Sequence, residues 1–312
     1  MIILILGAAG FIGTNLTIQL AKDNNNEITL VDGNKEYFTN IEKFNFKNIK
    51  IIEAKFCEDM NFDEILKNQD VVYHLISTVI PSTSNQHISK DIQSNVLFSS
   101  RLFEACVKND VKKVIFISSG GTVYGKEANC PLCEDTPTNP ISSYGLQKVM
   151  IEKLLYLYNY MYGLDYRIIR LSNPYGPYQR PNGILGAATT FIYKALKGEE
   201  IIVYGDGSVV RDFIYIDDAV NAILTIANHD NKHHIFNVGS GYGTSIKQLI
   251  TEIGKVLCLE MNVVYKEGRN VDLPINYLDI HRYEKYYGKL NSINLHNGIL
   301  KTADFMTKFY NL

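Results

Sequence analysis

Two hydrophobic periods alternate along the first 170 positions. Residues 2–6, 28–31, 49–53, 71–75, 114–117 and 166–171 form short runs rich in Ile and Val, the length of strands buried on both faces. Between them, residues 11–22, 92–109 and 144–162 carry the apolar spacing of amphipathic helices. Strand and helix in alternation imply right-handed crossovers, and so an α/β fold of the Rossmann type with a doubly wound parallel sheet. Beyond Arg170 the texture changes. The stretch Asn173-Pro-Tyr-Gly-Pro-Tyr-Gln-Arg-Pro-Asn-Gly183 is loop chemistry, followed by a helix over 185–197, a strand over 201–204 and shorter elements. Phe236-Asn-Val-Gly-Ser-Gly241 reads as a return to the sheet. The expected organisation is a first domain over 1–172 with return segments around 213–240. A smaller mixed α/β lobe, built from 173–212 and 241–312, would carry the substrate.

Composition removes several function classes. The 312 residues are 46% hydrophobic and 21% charged, with a mean hydropathy of -0.07. These values suit a globular protein and exclude a disordered or fibrous one. With 31 basic and 33 acidic side chains, the net charge of -2 supports neither nucleic acid nor a membrane surface as partner. No apolar run approaches the ~18 residues of a membrane span. The apolar start, Met1 to Leu6, lacks the charged flank of a signal peptide. Five cysteines, an odd number, favour reduced thiols in the cytoplasm. Cys130-Pro-Leu-Cys133 has zinc spacing but no second pair, so it reads as surface thiols and no metal is expected. His233-His234 reads as a solvated turn.

Candidate chemistry sits where strands end. Gly7-Ala-Ala-Gly10-Phe-Ile-Gly13 joins the first strand to the first helix. Glycine there permits a tight turn, backbone approach to a pyrophosphate and close helix packing, and the helix N-terminus faces the phosphates. Asp32 closes the second strand, where a carboxylate accepts a ribose diol and repels a 2′-phosphate, favouring NAD over NADP. A turn-capping Asp before Gly33 would look the same, and Lys35 nearby could soften the preference. Further along, Tyr144 and Lys148 are four apart on one face of a helix that follows the Ser/Gly/Thr loop of strand five. Tyrosine titrates near ~10 and needs help to act as a base, and a lysine ammonium with an oxidised nicotinamide would pull it down. A second such pair, Tyr193 and Lys197, reads as a packing ring beside a solvent-facing lysine.

Together the glycine pattern, Asp32, Val123-Tyr-Gly125 and the Tyr144/Lys148 pair resemble the extended short-chain dehydrogenase/reductases. Within them the chain resembles the NAD-dependent nucleotide-sugar epimerase/dehydratase family, notably its UDP-glucose 4-epimerases. The likeness continues through Asn173-Pro-Tyr-Gly, Tyr204-Gly-Asp-Gly-Ser, Arg211-Asp-Phe-Ile-Tyr-Ile-Asp-Asp218 and Arg269-Asn-Val-Asp272. It implies cofactor contacts from Gly7, Gly10, Phe11, Ile12, Gly13, Asp32, Cys57, Leu75, Ser77 and Asn95 as well as from Tyr144 and Lys148. Tyr144 would be the base, and Lys148 would bind the nicotinamide ribose while tuning it. Asn173 would touch the sugar or diphosphate, Arg211 and Arg269 would clamp the diphosphate, and Asp272 would hold the ribose of the uridine side. A surface ion pair of Arg211 with Asp212 or Asp217 is the plainer alternative.

Four positions depart from the family pattern. The family's catalytic Ser/Thr falls on Gly120, leaving Ser119, Thr122 or a water to supply the hydroxyl. Gly121 and Thr122 stand where hexose 4,6-dehydratases carry Asp-Glu, which argues against dehydration. Lys55-Phe56-Cys57 replaces the adenine-binding Gly-Asp. Asn276 is smaller than the tyrosine of strict glucose/galactose enzymes, implying tolerance of N-acetylhexosamines. The resemblance thus implies a 4-epimerase for a nucleotide sugar, UDP-linked, working through a transient 4-keto intermediate. It also implies a homodimer through two helices per subunit, compatible with an apolar stripe on 151–162. The alternatives are an NAD(P)H-dependent 4-keto-6-deoxysugar nucleotide reductase and, more remotely, a non-catalytic dinucleotide-binding regulator.

Overall fold

The computed structural model describes residues 1–57, 60–79, 84–126, 128–182, 186–268, 273–290 and 293–312. Strands β1 (Ile2–Leu6), β2 (Glu27–Asp32), β3 (Ile49–Glu53), β4 (Val71–His74), β5 (Lys113–Ser119) and β6 (Asp165–Leu171) lie in one parallel sheet. The strand Ile235–Val238 pairs parallel with β6 and completes a seven-stranded order running Ile235–Val238, β6, β5, β4, β1, β2, β3. β1 is flanked by β2 on one side and β4 on the other, so the order reverses there. Open α/β sheets bind their ligands at the carboxyl ends of strands at such a reversal.

Alternation along β1 explains why both of its faces are apolar. Ile3 and Ile5 join one core layer with Leu16 and Leu20 of the helix Phe11–Leu20 and with Ile216, Ile223 and Ile226 of the helix Ile216–Asn228. Leu4 and Leu6 join the opposite layer with Leu102 and Phe103 of the helix Phe98–Lys108 and with Ile151 and Leu155 of the helix Ser143–Tyr162. The expected helix over 144–162 starts one residue early. Ser142 accepts the Gly145 N–H at 3.2 Å, and Gly163 closes the helix at φ +74. The expected helix over 92–109 is instead three segments, Ile88–Ile92, a wide turn Gln93–Leu97 and Phe98–Lys108. Wide turns of this kind redirect side chains, often beside functional sites.

The later chain contributes the helices Ala187–Leu196, Ile246–Leu257 and Leu295–Tyr310, which pack on one another. Of the expected helix over 185–197, Leu185 lies outside the described residues. Ile201–Tyr204 pairs parallel with Val263–Lys266, and Val210–Arg211 lies between Thr244–Ser245 and Ile275–Asn276. Phe213–Tyr215 pairs parallel with Asn173–Tyr175 and leads into the helix Ile216–Asn228.

His233 and His234 are half-buried and partly packed: the His234 ring stacks on Tyr166 at 4.4 Å, and His233 Nε2 lies 3.1 Å from the Tyr286 hydroxyl. Pairing of Ile235–Val238 with β6 draws the preceding residues onto Tyr166. Around the paired cysteines, Leu132 is buried with Val123, Tyr124 and Leu278, and the loop is tied to its neighbour by Leu132 N to Tyr277 O at 3.0 Å. Cys130 and Cys133 are both free thiols.

Candidate active site

Two glycines of the turn sit where a side chain would not fit. Gly7 has φ +81, and a Cβ there would lie 3.2 Å from Ile76 N; one on Gly13 would lie 2.6 Å from the carbonyl oxygens of Gly7 and Ala8. The helix Phe11–Leu20 therefore approaches β1 more closely than any alanine would allow. Asp32 leaves β2 facing the turn, where Oδ2 accepts the Ala9 N–H at 2.9 Å and Oδ1 accepts the Gly33 N–H at 2.7 Å. Both features open on a cavity of about 940 Å³, whose wall includes Gly7, Gly10, Phe11, Ile12, Gly13, Asp32, Leu75 and Ser77. A glycine cradle at a helix N-terminus with an acid beyond it fits a dinucleotide with a ribose diol on Asp32. The buried hydroxyl oxygens of Thr122 and Ser172, both on residues of the cavity wall, have no partner within the protein.

Two residues expected at the cofactor stand elsewhere. Cys57 is exposed and off the wall; its neighbour Phe56 lines the cavity instead, because successive residues of an extended segment face opposite ways. Asn95 is buried behind the wall. The wide turn aims it at the loop after β4, where its Oδ1 accepts the Thr78 N–H at 2.9 Å and its Nδ2 donates to Thr78 Oγ1 at 2.8 Å. Asn95 thus positions Thr78, which does line the cavity.

Tyr144 lies in the first turn of the helix Ser143–Tyr162 and lines the cavity together with Ser119, at the end of β5. Lys148, one turn on, is buried beneath it. Its Nζ donates to Ile117 O at 2.8 Å and lies 5.6 Å from the Tyr144 ring centroid and 4.7 Å from that of Phe116. Burial pushes the phenol up to about 12, with Ser119 pulling the other way. Burial pushes Lys148 down to about 8, against the pull of Glu152. The protein's own charges therefore do not produce the depressed phenol expected from the sequence. Desolvation of the charged phenolate outweighs what one hydroxyl returns.

The geometry also places the doubtful third hydroxyl. A Cβ on Gly120 would lie 2.6 and 2.9 Å from the methyls of Leu278 and 3.2 Å from Arg170 O, so this position faces packed side chains and not Tyr144. Ser119 and Thr122 both line the cavity with Tyr144, and Ser119 is the neighbour that draws the phenol's pKa down. Sequence reasoning missed Glu152, whose carboxylate accepts from Arg170 Nε at 3.1 Å, Arg170 Nη2 at 2.7 Å and Ser118 Oγ at 2.6 Å. Its signal was present, since Tyr144, Lys148 and Glu152 recur every four residues on one helical face. Arg170 also donates to the Tyr124 hydroxyl at 3.1 Å, which in turn donates to Asn237 Oδ1 at 2.6 Å.

On the far side of the cavity stand Asn173 and Arg211. Asn173 Nδ2 donates to Asp212 O at 2.9 Å, and Arg211 Nη1 donates to Val210 O at 2.9 Å and Leu273 O at 2.6 Å. The Asp212 carboxylate is buried and accepts from Ser240 N and Oγ, each at 2.7 Å, and from Leu278 N at 3.2 Å. Asn276 is buried off the wall, its Nδ2 3.4 Å from the carbonyl of Gly121, a residue of the wall. Arg269 and Asp272 lie outside the described residues. Tyr193 and Lys197 lie off the cavity wall, the ammonium 5.5 Å over the ring and 2.9 Å from Glu199. No group of three or more metal-ligating side chains occurs among the described residues, and none of their helices is long and apolar enough to cross a membrane.

A dinucleotide cradle, a Ser-Tyr-Lys constellation and one cavity joining them to a basic far wall define a nicotinamide-dependent enzyme of the extended short-chain dehydrogenase/reductase class. The chain belongs to the NAD dependent epimerase/dehydratase family, whose model matches residues 3–239. NAD is the cofactor of that family. A UDP-glucose 4-epimerase of Mycolicibacterium smegmatis is 33% identical over 308 residues, covering 97% of each chain. A dTDP-4-dehydro-6-deoxyglucose reductase of Escherichia coli is 33% identical over 307 residues, 96% of this chain and 95% of that one. Among solved structures, a UDP-N-acetylglucosamine 4-epimerase of Methanobrevibacter ruminantium, in complex with UDP-N-acetylmuramic acid, superposes with a TM-score of 0.91. It is 32% identical and covers 98% of both chains.

Proposed function

We propose that this chain is a UDP-sugar 4-epimerase acting on a hexose or an N-acetylhexosamine. The observation that carries the reading is the Ser119–Tyr144 pair, set on the wall of one cavity between the glycine turn and Arg211. Bound NAD supplies a reversible two-electron oxidation of the carbinol at C4 of the sugar. Tyr144 accepts the hydroxyl proton as the carbonyl forms and gives it back as the carbonyl is reduced from the other face. Ser119 holds the oxygen in line, and Lys148 contributes positive charge behind the ring. Arg211 offers a planar, permanent cation to the diphosphate, and Arg269 and Asp272 are proposed to complete the nucleotide side. In this division of labour 173–212 and 241–312 hold the sugar nucleotide and the remainder holds the cofactor.

The Ser143–Tyr162 helix exposes Tyr156, Leu157, Tyr160 and Met161, an apolar surface that supports assembly as a homodimer. The unpaired thiols support work in the cytoplasm. Purified protein incubated with UDP-Glc or UDP-GlcNAc, with no cofactor added, should interconvert each sugar with its C4 epimer. The Escherichia coli relative favours a second reading, a 4-keto-sugar reductase. Turnover only when NADH or NADPH and a keto sugar are supplied would select it and reject the first. Asn276→Tyr adds bulk next to Gly121 and should depress turnover of the N-acetylated sugar more than of the plain hexose. Equal losses on both would remove Asn276 from sugar selection.

A further inference from the structure

The cavity has a feature that the catalytic reading does not use. Tyr37 and Arg180 both line it, and the Arg180 guanidinium lies 4.9 Å from the Tyr37 ring centroid. The two residues come from opposite sides of the glycine turn. Tyr37 follows Asp32 by one short turn, Lys35–Phe38, which is fixed by the Glu36 N–H donating to Asn34 Oδ1 at 2.8 Å and by the fully buried Phe38. Arg180 ends the proline-rich loop that leaves Asn173–Tyr175.

That loop is anchored as firmly as the turn. Asn15, on the helix that the glycine turn opens, donates from Nδ2 to Phe11 O at 2.9 Å and to Pro177 O at 3.0 Å. Tyr178 holds a left-handed backbone at φ +68, with its ring 4.8 Å from Phe305. Gln179 Nε2 donates to Pro174 O at 3.2 Å, and its Oε1 accepts the Thr189 hydroxyl. Arg180 over Tyr37 is a contact between two exposed side chains. Fixed supports on both sides and a weak contact between them describe a fastening that can part without disturbing the fold.

We propose that Arg180 and Tyr37 form a clasp over the dinucleotide channel, with the guanidinium supplying positive charge to the cofactor's diphosphate, and that NAD leaves only when this pair separates. The clasp slows cofactor release, so that one molecule of NAD serves many turnovers. The inference rests on the chain's membership of an NAD-dependent family and on the epimerase reading, in which the cofactor is regenerated at every turnover.

The test uses protein purified with NAD bound. NAD release is followed by trapping freed cofactor with excess alcohol dehydrogenase and ethanol, read as NADH absorbance, with no sugar nucleotide present. Arg180→Gln and Tyr37→Ala should each release NAD about 3–10-fold faster than wild type, and Tyr37→Phe should release it at the wild-type rate. The double variant Arg180→Gln/Tyr37→Ala should be no faster than the faster single one, because both remove one contact. Unchanged release in the single variants would overturn the clasp, as would multiplied rates in the double variant. Loss of retention in Tyr37→Phe would overturn it too, since that change keeps the ring. Failure of the epimerase assay with normal NAD retention would leave the clasp standing and remove only the proposed reaction.

Discussion

Replacing Ser119 tests the assignment of the hydroxyl that the sequence left open. In Ser119→Ala the phenol of Tyr144 loses the neighbouring hydroxyl that opposes the effect of burial, so its pKa moves further above the neutral range. Removing a pre-organised donor at a reacting oxygen typically costs about 100–1,000-fold in kcat, on the order of 3–4 kcal/mol of transition-state stabilisation. The same loss is expected in kcat/KM, with KM for the sugar nucleotide little changed. Moving the hydroxyl one residue on does not restore it. A Cβ at position 120 would lie 2.6 and 2.9 Å from Leu278 and 3.2 Å from Arg170 O, so Gly120→Ser overpacks the core by about 1–3 kcal/mol and lowers Tm. Steady-state rates with saturating sugar nucleotide, together with thermal melts, separate the two effects. Ser119→Ala with near-normal kcat, or recovery of rate in Ser119→Ala/Gly120→Ser, would refute the reasoning. A 100-fold fall in kcat for Thr122→Val alone would move the role to Thr122.

Burial holds Lys148 at about 8 against an ordinary 10.5, so above pH 8 the folded chain sheds a proton that the unfolded chain keeps until about pH 10.5. Stability therefore rises with pH through that window, by about 2 kcal/mol between pH 7.5 and 9.5 from this group; urea titrations of wild type and Lys148→Met should differ in slope by that amount, and equal slopes would show that Lys148 does not titrate there. Glu152→Gln leaves the buried Arg170 without its counter-charge and should cost about 3–5 kcal/mol in chemical denaturation, while Glu152→Gln/Arg170→Met should cost less than the sum of the two single changes. Asp32→Ser removes the carboxylate that faces the glycine turn and should weaken NAD binding while improving NADP binding, measured calorimetrically; an unchanged ratio of the two affinities would free Asp32 of that role.

What could be read from sequence is what local rules decide. The glycine turn, Asp32 and the Tyr144/Lys148 spacing follow from backbone geometry and helical period, and the runs of Ile and Val mark strands whose two faces both meet core. Positions decided by distant packing were not legible. Residue 120 faces away from the phenol because Leu278, from the far end of the chain, occupies the space beside it. That Asn95 would bond Thr78 was not legible because a wide turn inside an apparently regular helix changes the direction of its side chain. Phe56 takes the wall where Cys57 was expected, a one-residue difference that in extended chain reverses the face. The Glu152–Arg170 pair further along the Tyr144 helix was not disclosed by the Tyr/Lys spacing, since Arg170 was read only as part of a strand.

The two-pronged grip of Arg170 on Glu152 has a mechanical consequence for the phenol. A helix can spin about its own axis at little cost to its internal hydrogen bonds, and any such spin would swing Tyr144 off its station. Glu152 lies eight residues, about 12 Å, further along the same axle. Clamped by both oxygens to the neighbouring strand, it acts like a key in a shaft, so the angular position of the whole rod, and of the tyrosine at its far end, is set from within the sheet.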